Sequence, residues 1–129
     1  MREPMILLVD DEKGTRKILK EFLEERIKCR VSEASNGEEA LEQLEKHNCD
    51  LMLLDIRMPR KSGIQVLDQL PSNNDNLNVL VLTAWDSQWI NEECVKRNVE
   101  CLSKPFRLHE LFEKIKHILR ENDLFYPIR

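Results

Sequence analysis

The chain has 129 residues, of which 41% are hydrophobic and 34% charged, with a formal net charge of −4. This length suits one domain, and the composition is typical of a soluble globular protein rather than a disordered one. The acidic balance argues against direct contact with nucleic acid. No apolar run approaches the roughly 20 residues that cross a membrane, and the N-terminal stretch lacks the features of a signal peptide. We therefore expect a cytoplasmic protein without membrane contact.

Short apolar runs alternate with amphipathic segments along the chain. The predicted elements, in chain order, are a strand at 5–9, a helix at 14–27, a strand at 29–35, a helix at 38–47, a strand at 50–55, a helix at 63–70, a strand at 77–84, a helix at 87–98, a strand at 99–103 and a helix at 108–122. Continuous apolar runs are typical of parallel strands that are covered on both faces. The alternation predicts an α/β fold, a doubly wound five-stranded parallel sheet of flavodoxin-like order 2-1-3-4-5.

Apolar residues at helical spacing are predicted to face the sheet. They are Ile18, Phe22, Leu23 and Ile27 in the first helix, Ala40, Leu41 and Leu44 in the second, Ile90, Cys94 and Val95 in the fourth, and Leu111, Ile115, Ile118 and Leu119 in the last. Trp89 falls on another stripe of the fourth helix and is expected to be partly exposed. For Trp89 and Trp85, packing over the loop after the fourth strand is favoured over a partner or dimer surface.

The four cysteines are Cys29, Cys49, Cys94 and Cys101. They do not form the closely spaced pairs that are typical of zinc sites. Three of them lie in or beside predicted strands, where buried reduced thiols are common. We therefore predict free thiols and no zinc.

Polar side chains stand at the carboxyl ends of the predicted strands. They are Asp10 and Asp11 after the first strand, Asp55 after the third, Thr83 after the fourth, and Ser103 and Lys104 after the fifth. In open α/β sheets, ligands bind at this edge, where the strand order reverses. Three converging carboxylates must take up protons or hold a cation, and hard oxygen ligands suit Mg²⁺. A carboxylate there can also accept a phosphoryl group, for which Mg²⁺ and the lysine would supply positive charge.

Four motifs in order make the resemblance specific. They are LLVDDE (7–12), LLDIRMPRKSG (53–63), VLTA (81–84) and SKPF (103–106). Together they resemble the receiver domain of two-component response regulators, over roughly residues 4 to 121. We accordingly expect a receiver domain over 1–122, followed by a tail or the start of a linker at 123–129.

The resemblance implies a role for each site residue. Asp55 is implied as the phospho-acceptor, and Asp11 as a direct Mg²⁺ ligand. Asp10 would hold the metal mainly through water, and the backbone carbonyl of Arg57 would complete the protein ligands. Gly63 is expected to serve the turn into the third helix rather than the chemistry.

The remaining implied roles belong to the fourth and fifth strands. Thr83 would be the hydroxyl that follows the phosphoryl group, and Lys104 the cation that pairs with it. The Lys104–Pro105 bond resembles the family's cis peptide, which aims the lysine into the site.

The resemblance also implies partners. A sensor histidine kinase would supply the phosphoryl group, and the domain would catalyse transfer to itself and lose the group slowly, without being a stand-alone metabolic enzyme. Phosphorylation would change the face made by helix 4, strand 5 and helix 5, and so control an output domain or an effector protein. Homodimerisation through that face, or through helix 1 and strand 5, is a further expectation for the phosphorylated form.

Two positions depart from the family pattern. Cys101 stands where the family usually has an aromatic residue, and its small side chain cannot report the state of the site by swinging a ring. Backbone shifts around helix 4 are therefore expected to carry the signal. Arg57 stands where a shorter polar side chain is common, so the loss of the phosphoryl group is expected to change, in a direction that the sequence leaves open.

Three other functional interpretations fit the sequence less well than a receiver domain does. A receiver-like binding module without phosphotransfer would typically have lost one or more of the site residues that are all present here. A haloacid-dehalogenase-like phosphatase would need a second acid two residues after the nucleophile, where this chain has Arg57. A flavodoxin-like cofactor binder would need a phosphate loop after strand 1, where DDEK (10–13) would repel phosphate.

Overall fold

The structure is a computed structural model, and it describes residues 2–58, 62–74, 76–83 and 88–128. Within these ranges the chain alternates between strands and helices, as predicted. The strands are β1 (Met5–Val9), β2 (Arg30–Ala34), β3 (Leu51–Asp55), β4 (Asn78–Thr83) and β5 (Glu100–Ser103). The helices are α1 (Lys13–Arg26), α2 (Gly37–Lys46), α3 (Gly63–Asp68), α4 (Gln88–Lys96) and α5 (Leu108–Glu121).

The strands form one parallel sheet in the order β2-β1-β3-β4-β5, which confirms the predicted fold. Every residue of β3 is buried, whereas β2 and β5 at the two edges are only partly so. The register sets Asp55 opposite Leu82 and Thr83 opposite Ser103. Because all strands run the same way, their carboxyl ends meet at one edge of the sheet.

The core has two layers, one on each face of the sheet. Successive strand residues point to opposite faces, so Leu7 and Val9 pack on one face and Ile6 and Leu8 on the other. Helices α2, α3 and α4 cover the first of these faces, and α1 and α5 cover the second. All four apolar residues predicted to face inward on α5 are buried. Among the described residues, no helix has the length and apolar character needed to cross a membrane.

The buried stripe of α1 differs from the prediction by one position. Leu19 and Leu23 are buried, at 5% and 0% exposure, whereas Ile18 is 58% exposed. Ile18 with Phe22 and Leu19 with Leu23 have the same helical spacing, so spacing alone does not choose between them. Ile27 is buried as predicted, but it is the residue that caps the helix rather than part of it.

Helix α4 shows a second difference. Ile90 and Cys94 are buried, as predicted, but Val95 is 79% exposed. Consecutive helical residues point about 100° apart, and this short helix buries only the narrow stripe that meets the sheet edge. Trp89 is 57% exposed, which agrees with the expectation. Trp85 lies outside the described residues.

Side chains of the segment after α5 pack back onto the domain. Leu124 is buried, and the Phe125 ring meets the Phe112 ring edge to face at a centroid distance of 6.4 Å. Phe112 in turn meets Phe22 of α1 at 6.1 Å. The aromatic contacts therefore join this segment to α5 and α1.

Backbone hydrogen bonds hold the same segment. The Lys28 amide donates to the Tyr126 carbonyl at 2.8 Å, and the Ile128 amide donates to the Arg26 carbonyl at 2.9 Å. An antiparallel bridge pairs Ile27 with Pro127 between them. The chain is thus packed against α1 and α5 as far as Ile128.

Two neighbouring substitutions on α1 test its orientation. Leu19→Ala should lower the free energy of unfolding by about 2–4 kcal/mol, because it leaves a cavity in the core. Ile18→Ala, the matched control, should change it by less than about 0.5 kcal/mol. Chemical unfolding followed by circular dichroism measures both, and equal costs at the two positions would contradict the buried stripe.

Candidate functional site

Asp10 follows β1 and is held in place by backbone contacts. Its amide donates to the Ala34 carbonyl at 3.2 Å, and its Oδ1 accepts from the Glu12 amide at 2.9 Å. Its carbonyl accepts from the Arg16 guanidinium at 2.6 Å. The side chain is almost fully buried, whereas the next residue, Asp11, is exposed. The Asp10 carboxylate is therefore buried at the edge of the core, and the Asp11 carboxylate faces solvent.

Asp55 is the last residue of β3, one strand away from Asp10. Its residue exposure is 7%, and its Oδ1 accepts from the Arg57 amide at 3.1 Å. The pairing of β3 with β4 extends one residue past Asp55, since the Ile56 amide donates to the Leu82 carbonyl at 3.2 Å. The Asp55 carboxylate is thus fixed at the carboxyl edge of the sheet.

The three aspartates form one acidic cluster. Oxygen atoms of Asp10, Asp11 and Asp55 lie within 4.8 Å of one another. Two carboxylates about 4 Å apart repel by about 4 kcal/mol at an effective dielectric near 20. The tertiary structure therefore brings together the three acids that the sequence places on two separate strands.

The electrostatics of Asp10 show how strained this cluster is without a cation. Burial raises the pKa of the Asp10 carboxyl above its ordinary value, and the neighbouring carboxylates of Asp55 and Asp11 add to the rise. The Glu12 amide and Lys104 act in the opposite direction. A set of hard oxygen donors that is short of positive charge fits a divalent metal ion, so the cluster could hold one.

Lys104 supplies the ammonium group of the site. Its Nζ lies 3.5 Å from Asp55 Oδ2 and 3.9 Å from Asp10 Oδ2. These distances are long for hydrogen bonds, so the ammonium acts mainly through its charge. The Lys104–Pro105 peptide bond is cis, as the resemblance implied.

Thr83 ends β4 and is 1% exposed. It lies one residue beyond Leu82, the register partner of Asp55, so its position is at the same edge of the sheet. Its carbonyl accepts from the Lys104 amide at 2.6 Å, which joins the ends of β4 and β5. The hydroxyl-bearing residue and the lysine are thereby linked through the backbone.

Arg57 and Cys101 lie at the margins of the site. Arg57 is exposed, and its backbone amide holds Asp55 as described above. Cys101 is half-buried in β5, and its thiol donates to Asn91 Oδ1 of α4 at 3.1 Å. The position that usually carries an aromatic ring is thus occupied by a thiol in contact with α4. The predicted roles of both residues, like those of the aspartates, threonine and lysine, stay predictions.

A groove of about 680 Å³ opens beside the acidic cluster, between the loop after β3 and α4. Its described lining includes Asp11, Arg57, Met58, Ser62, Trp89 and Ile90. The exposed acid and the exposed tryptophan therefore face one space. That space opens the edge of the site to solvent.

Gly63 matters to the site in a way that its place in a turn did not reveal. A Cβ atom there would lie 2.9 Å from the Ile56 Cα and 3.1 Å from the Asp55 carbonyl oxygen. The Gly63 amide also donates to the Ile56 carbonyl at 3.0 Å. The start of α3 therefore packs directly on the backbone that follows Asp55, and only the glycine in LLDIRMPRKSG hinted at this contact.

Comparison with known proteins gives a consistent result. The family model for the response regulator receiver domain matches residues 6–116. The chain is 39% identical over 118 residues to the response regulator MprA of Mycobacterium leprae, covering 89% of this chain and 50% of that protein. It is 36% identical over 125 residues to a cyclic di-GMP phosphodiesterase of Thermotoga maritima, covering 96% of this chain and 33% of that protein. The chain thus spans half or less of the length of these curated relatives.

Solved structures share the fold. A Francisella response regulator receiver domain superposes with a TM-score of 0.83 at 30% identity, covering 93% of this chain and 99% of that one. The chemotaxis protein CheY4 of Vibrio cholerae superposes with a TM-score of 0.82 at 24% identity, covering 92% of this chain and 100% of that one. The second likeness supports the fold alone.

Substitution of two glycines tests the close contact behind Asp55. Gly63→Ala should lower the free energy of unfolding by about 1–3 kcal/mol, because the new methyl group overlaps the Ile56 backbone. Gly14→Ala, on the open side of α1, should be neutral or stabilise by up to about 1 kcal/mol. Thermal or chemical unfolding measures both, and a neutral Gly63→Ala would refute the contact.

Substitution of Asp10 tests the repulsion within the cluster. Asp10→Asn keeps an oxygen acceptor for the Glu12 amide and removes one charge, so the metal-free protein should gain about 1 kcal/mol in unfolding free energy. Because the folded-state pKa of Asp10 is raised, lowering the pH protonates Asp10 in the folded wild type and removes its charge. The gain in unfolding free energy from Asp10→Asn should therefore shrink as the pH falls.

The matched control for that substitution is Glu113→Gln on the exposed side of α5, which removes the same charge away from the cluster. It should change the unfolding free energy by less than about 0.5 kcal/mol. Chemical unfolding in the presence of a chelator measures both variants. A gain at Glu113 equal to that at Asp10 would mean that overall charge, rather than the cluster, is responsible.

Proposed function

Since this chain belongs to the family of response regulator receiver domains, we propose that it is a phospho-accepting switch of a two-component signalling system. In this proposal a sensor histidine kinase transfers a phosphoryl group to Asp55. The observation that carries the proposal is the meeting of three carboxylates with one ammonium at the carboxyl edge of the sheet. With a divalent cation bound to the carboxylates, that arrangement would receive a phosphoryl group and offset part of its negative charge.

Asp55 is the proposed nucleophile. Its Oδ1 is anchored by the Arg57 amide, and its Oδ2 faces Lys104. We assign the attack to Oδ2, which forms a bond to phosphorus as the bond between phosphorus and the kinase histidine breaks. The electron pair of that broken bond returns to the imidazole nitrogen, and the product is an acyl phosphate on Asp55. This oxygen places the new phosphoryl group beside the Lys104 ammonium.

The acidic cluster is the proposed metal site. Asp10, Asp11 and Asp55, with the backbone carbonyl of Arg57, would hold Mg²⁺, Asp10 mainly through water. When bound, the ion supplies positive charge to the cluster and to the phosphoryl oxygens. The raised pKa of Asp10 supports this assignment, because it marks a buried carboxylate that gains from a nearby cation. Lys104 contributes charge from the other side of Asp55 and orients the group by electrostatic attraction.

Thr83 is the proposed sensor of the phosphoryl group. A hydrogen bond from its hydroxyl to a phosphoryl oxygen would draw the end of β4 toward Asp55. The bond from the Lys104 amide to the Thr83 carbonyl would pass that shift to the end of β5. From β5 it would reach α4 through the contact between Cys101 and Asn91. The signal would thus travel through backbone shifts on the α4, β5 and α5 face, without a moving ring.

Loss of the phosphoryl group is proposed to be a slow hydrolysis by the domain itself. Water would approach through the groove beside the exposed Arg57. The domain is not proposed to be a stand-alone metabolic enzyme. The phosphodiesterase activity in the name of one relative is not transferred to this chain, which spans only 33% of that protein.

The proposed partners follow from the switch. They are a sensor histidine kinase, and an output domain or effector protein that responds to the α4, β5 and α5 face. A homodimer of the phosphorylated form is part of the same proposal, as is a cytoplasmic location beside the kinase domain that donates the phosphoryl group. No direct nucleic acid contact is proposed for this domain.

Intact-mass spectrometry with a small-molecule phosphodonor tests the function. Wild type incubated with the donor and Mg²⁺ should gain the mass of one phosphoryl group, and a chelator should prevent the gain. Asp55→Asn should show no gain, because the amide cannot attack phosphorus. Asp123→Asn, at an exposed aspartate whose positive φ also suits asparagine, should behave like wild type.

A folded wild type that gains no mass with Mg²⁺ present would contradict the proposal. The hypothesis that would then remain is a receiver-like binding module without phosphotransfer. A gain that persists in Asp55→Asn would instead move the acceptor to another residue. Peptide mapping of the modified chain separates these two results.

A further inference from the structure

Two of the four cysteines meet where α4 packs against β5. Cys94 lies on the buried side of α4 at 1% exposure, and Cys101 is half-buried in β5. Cys101 packs against the apolar cluster to which the Cys94 side chain belongs. The Cys101 thiol also contacts Asn91 Oδ1 at 3.1 Å, and Asn91 is one helical turn before Cys94. Two independent contacts therefore place the β5 thiol against this turn of α4.

The connection between the two cysteines is short. Cys94 and Cys101 belong to the same packed cluster, and the Val99 amide donates to the Cys94 carbonyl at 3.0 Å within the turn that joins α4 to β5. A disulfide brings its sulfur atoms to about 2 Å. Both thiols lie at the contact between α4 and β5, so we expect the sulfur atoms to approach this distance through a movement of the last turn of α4 relative to β5.

The other two cysteines lack such a neighbour in their described contacts. Cys29 packs with the cluster on the opposite face of the sheet. Cys49 lies before β3, and its thiol contacts the Leu51 carbonyl at 3.2 Å. Burial raises the pKa of Cys29 to about 11 and that of Cys49 to about 12, so both are protonated near neutral pH, and neither has a second thiol in its described contacts with which to form a disulfide. They serve as internal controls for the pair.

We propose that Cys94 and Cys101 are a redox modification site, at which a peroxide converts the two thiols into an intramolecular disulfide that fastens α4 to β5. Cys101 reacts first, because it is the more exposed of the two. Its thiolate attacks one peroxide oxygen, the O–O bond breaks, and a sulfenic acid forms at Cys101 with release of water or an alcohol. The only oxidant that this step requires is a small peroxide.

The second step uses Cys94. Burial raises the pKa of the Cys94 thiol to about 11, so this group is still a protonated thiol when the sulfenic acid forms at Cys101. Its sulfur then attacks the Cys101 sulfur as its proton leaves, the S–O bond breaks, and water departs. Over both steps, two thiols lose two protons and two electrons and the peroxide is reduced. A small thiol reductant reverses the change by thiol–disulfide exchange.

The consequence of the bond follows from its position. It would covalently tie α4 to β5 at the contact through which Cys101 and Asn91 already join them. An oxidised domain would therefore hold α4 more rigidly against the sheet than a reduced one. This modification needs none of the aspartates, so it stands or falls independently of phosphotransfer to Asp55.

Thiol counting with peptide mapping tests the modification. The protein is treated with hydrogen peroxide, denatured, and labelled with an alkylating reagent. Reduced wild type should label at four cysteines, and the oxidised protein at two, Cys29 and Cys49, with a linked peptide pair joining 94 and 101. Treatment with a reductant should restore the count to four.

Variants separate the pair from the other thiols. Cys49→Ala, the matched control, should still form the linked pair. Cys94→Ala should form no link, and its Cys101 should instead be captured as a sulfenic acid by a 1,3-dicarbonyl reagent. Four labelled thiols after peroxide, a link only between two chains, or overoxidation of Cys101 without a link would each overturn the proposal.

Amide hydrogen exchange tests the fastening of α4. Amides at the end of α4 should exchange more slowly in the oxidised wild type than in the reduced one, by at least several-fold. The same peroxide treatment should not slow these amides in Cys94→Ala. A disulfide that forms without slowing them would refute the mechanical consequence while leaving the chemistry intact.

Discussion

The repulsion among three carboxylates at one edge of a buried sheet is the constraint on which the rest of this structure depends. Asp10 and Asp55 are almost fully buried, and with Asp11 they offer oxygen atoms within 4.8 Å of one another. An apolar core gives such a group little solvation. Part of the free-energy cost of burying these charges is offset by the Glu12 and Arg57 amides and by the Lys104 ammonium. The raised pKa of Asp10 shows that the offset is incomplete. A site with this imbalance favours a cation, at some expense of stability when none is bound.

The sheet that imposes this repulsion also holds the site rigid. The inner strands are covered on both faces, so a shift in register would expose a full row of Leu, Ile and Val side chains. The close approach of Gly63 to the Ile56 backbone adds a second restraint directly behind Asp55. Helix α4 buries Ile90 and Cys94 and exposes Trp89 and Val95.

The contact between α4 and β5 links the two proposals made for this protein. Cys101 stands where the family resemblance implies an aromatic ring; its small thiol contacts Asn91 and packs against the cluster that contains Cys94. A small side chain leaves the coupling between strand and helix to hydrogen bonds and backbone position. The same substitution brings two thiols together. The departure from the family pattern that removes a rotating ring therefore creates the chemistry for a covalent link at the same place.

The amino-acid sequence by itself determined the fold class, the strand order and the identity of the acidic site. Apolar runs such as MILLV and DLMLLD are typical of buried parallel strands, and the polar residues of the site stand at or directly after the carboxyl ends of these runs. Tertiary structure alone decided which of two equally spaced stripes of α1 faces the core. It buried Leu19 and exposed Ile18, because packing against the sheet and α5, rather than spacing, selects the face. Val95 was placed outward for the same reason. The close approach of Gly63 to Ile56 and the packing of Cys101 against the cluster of Cys94 also needed the folded chain, since each joins residues of separate elements.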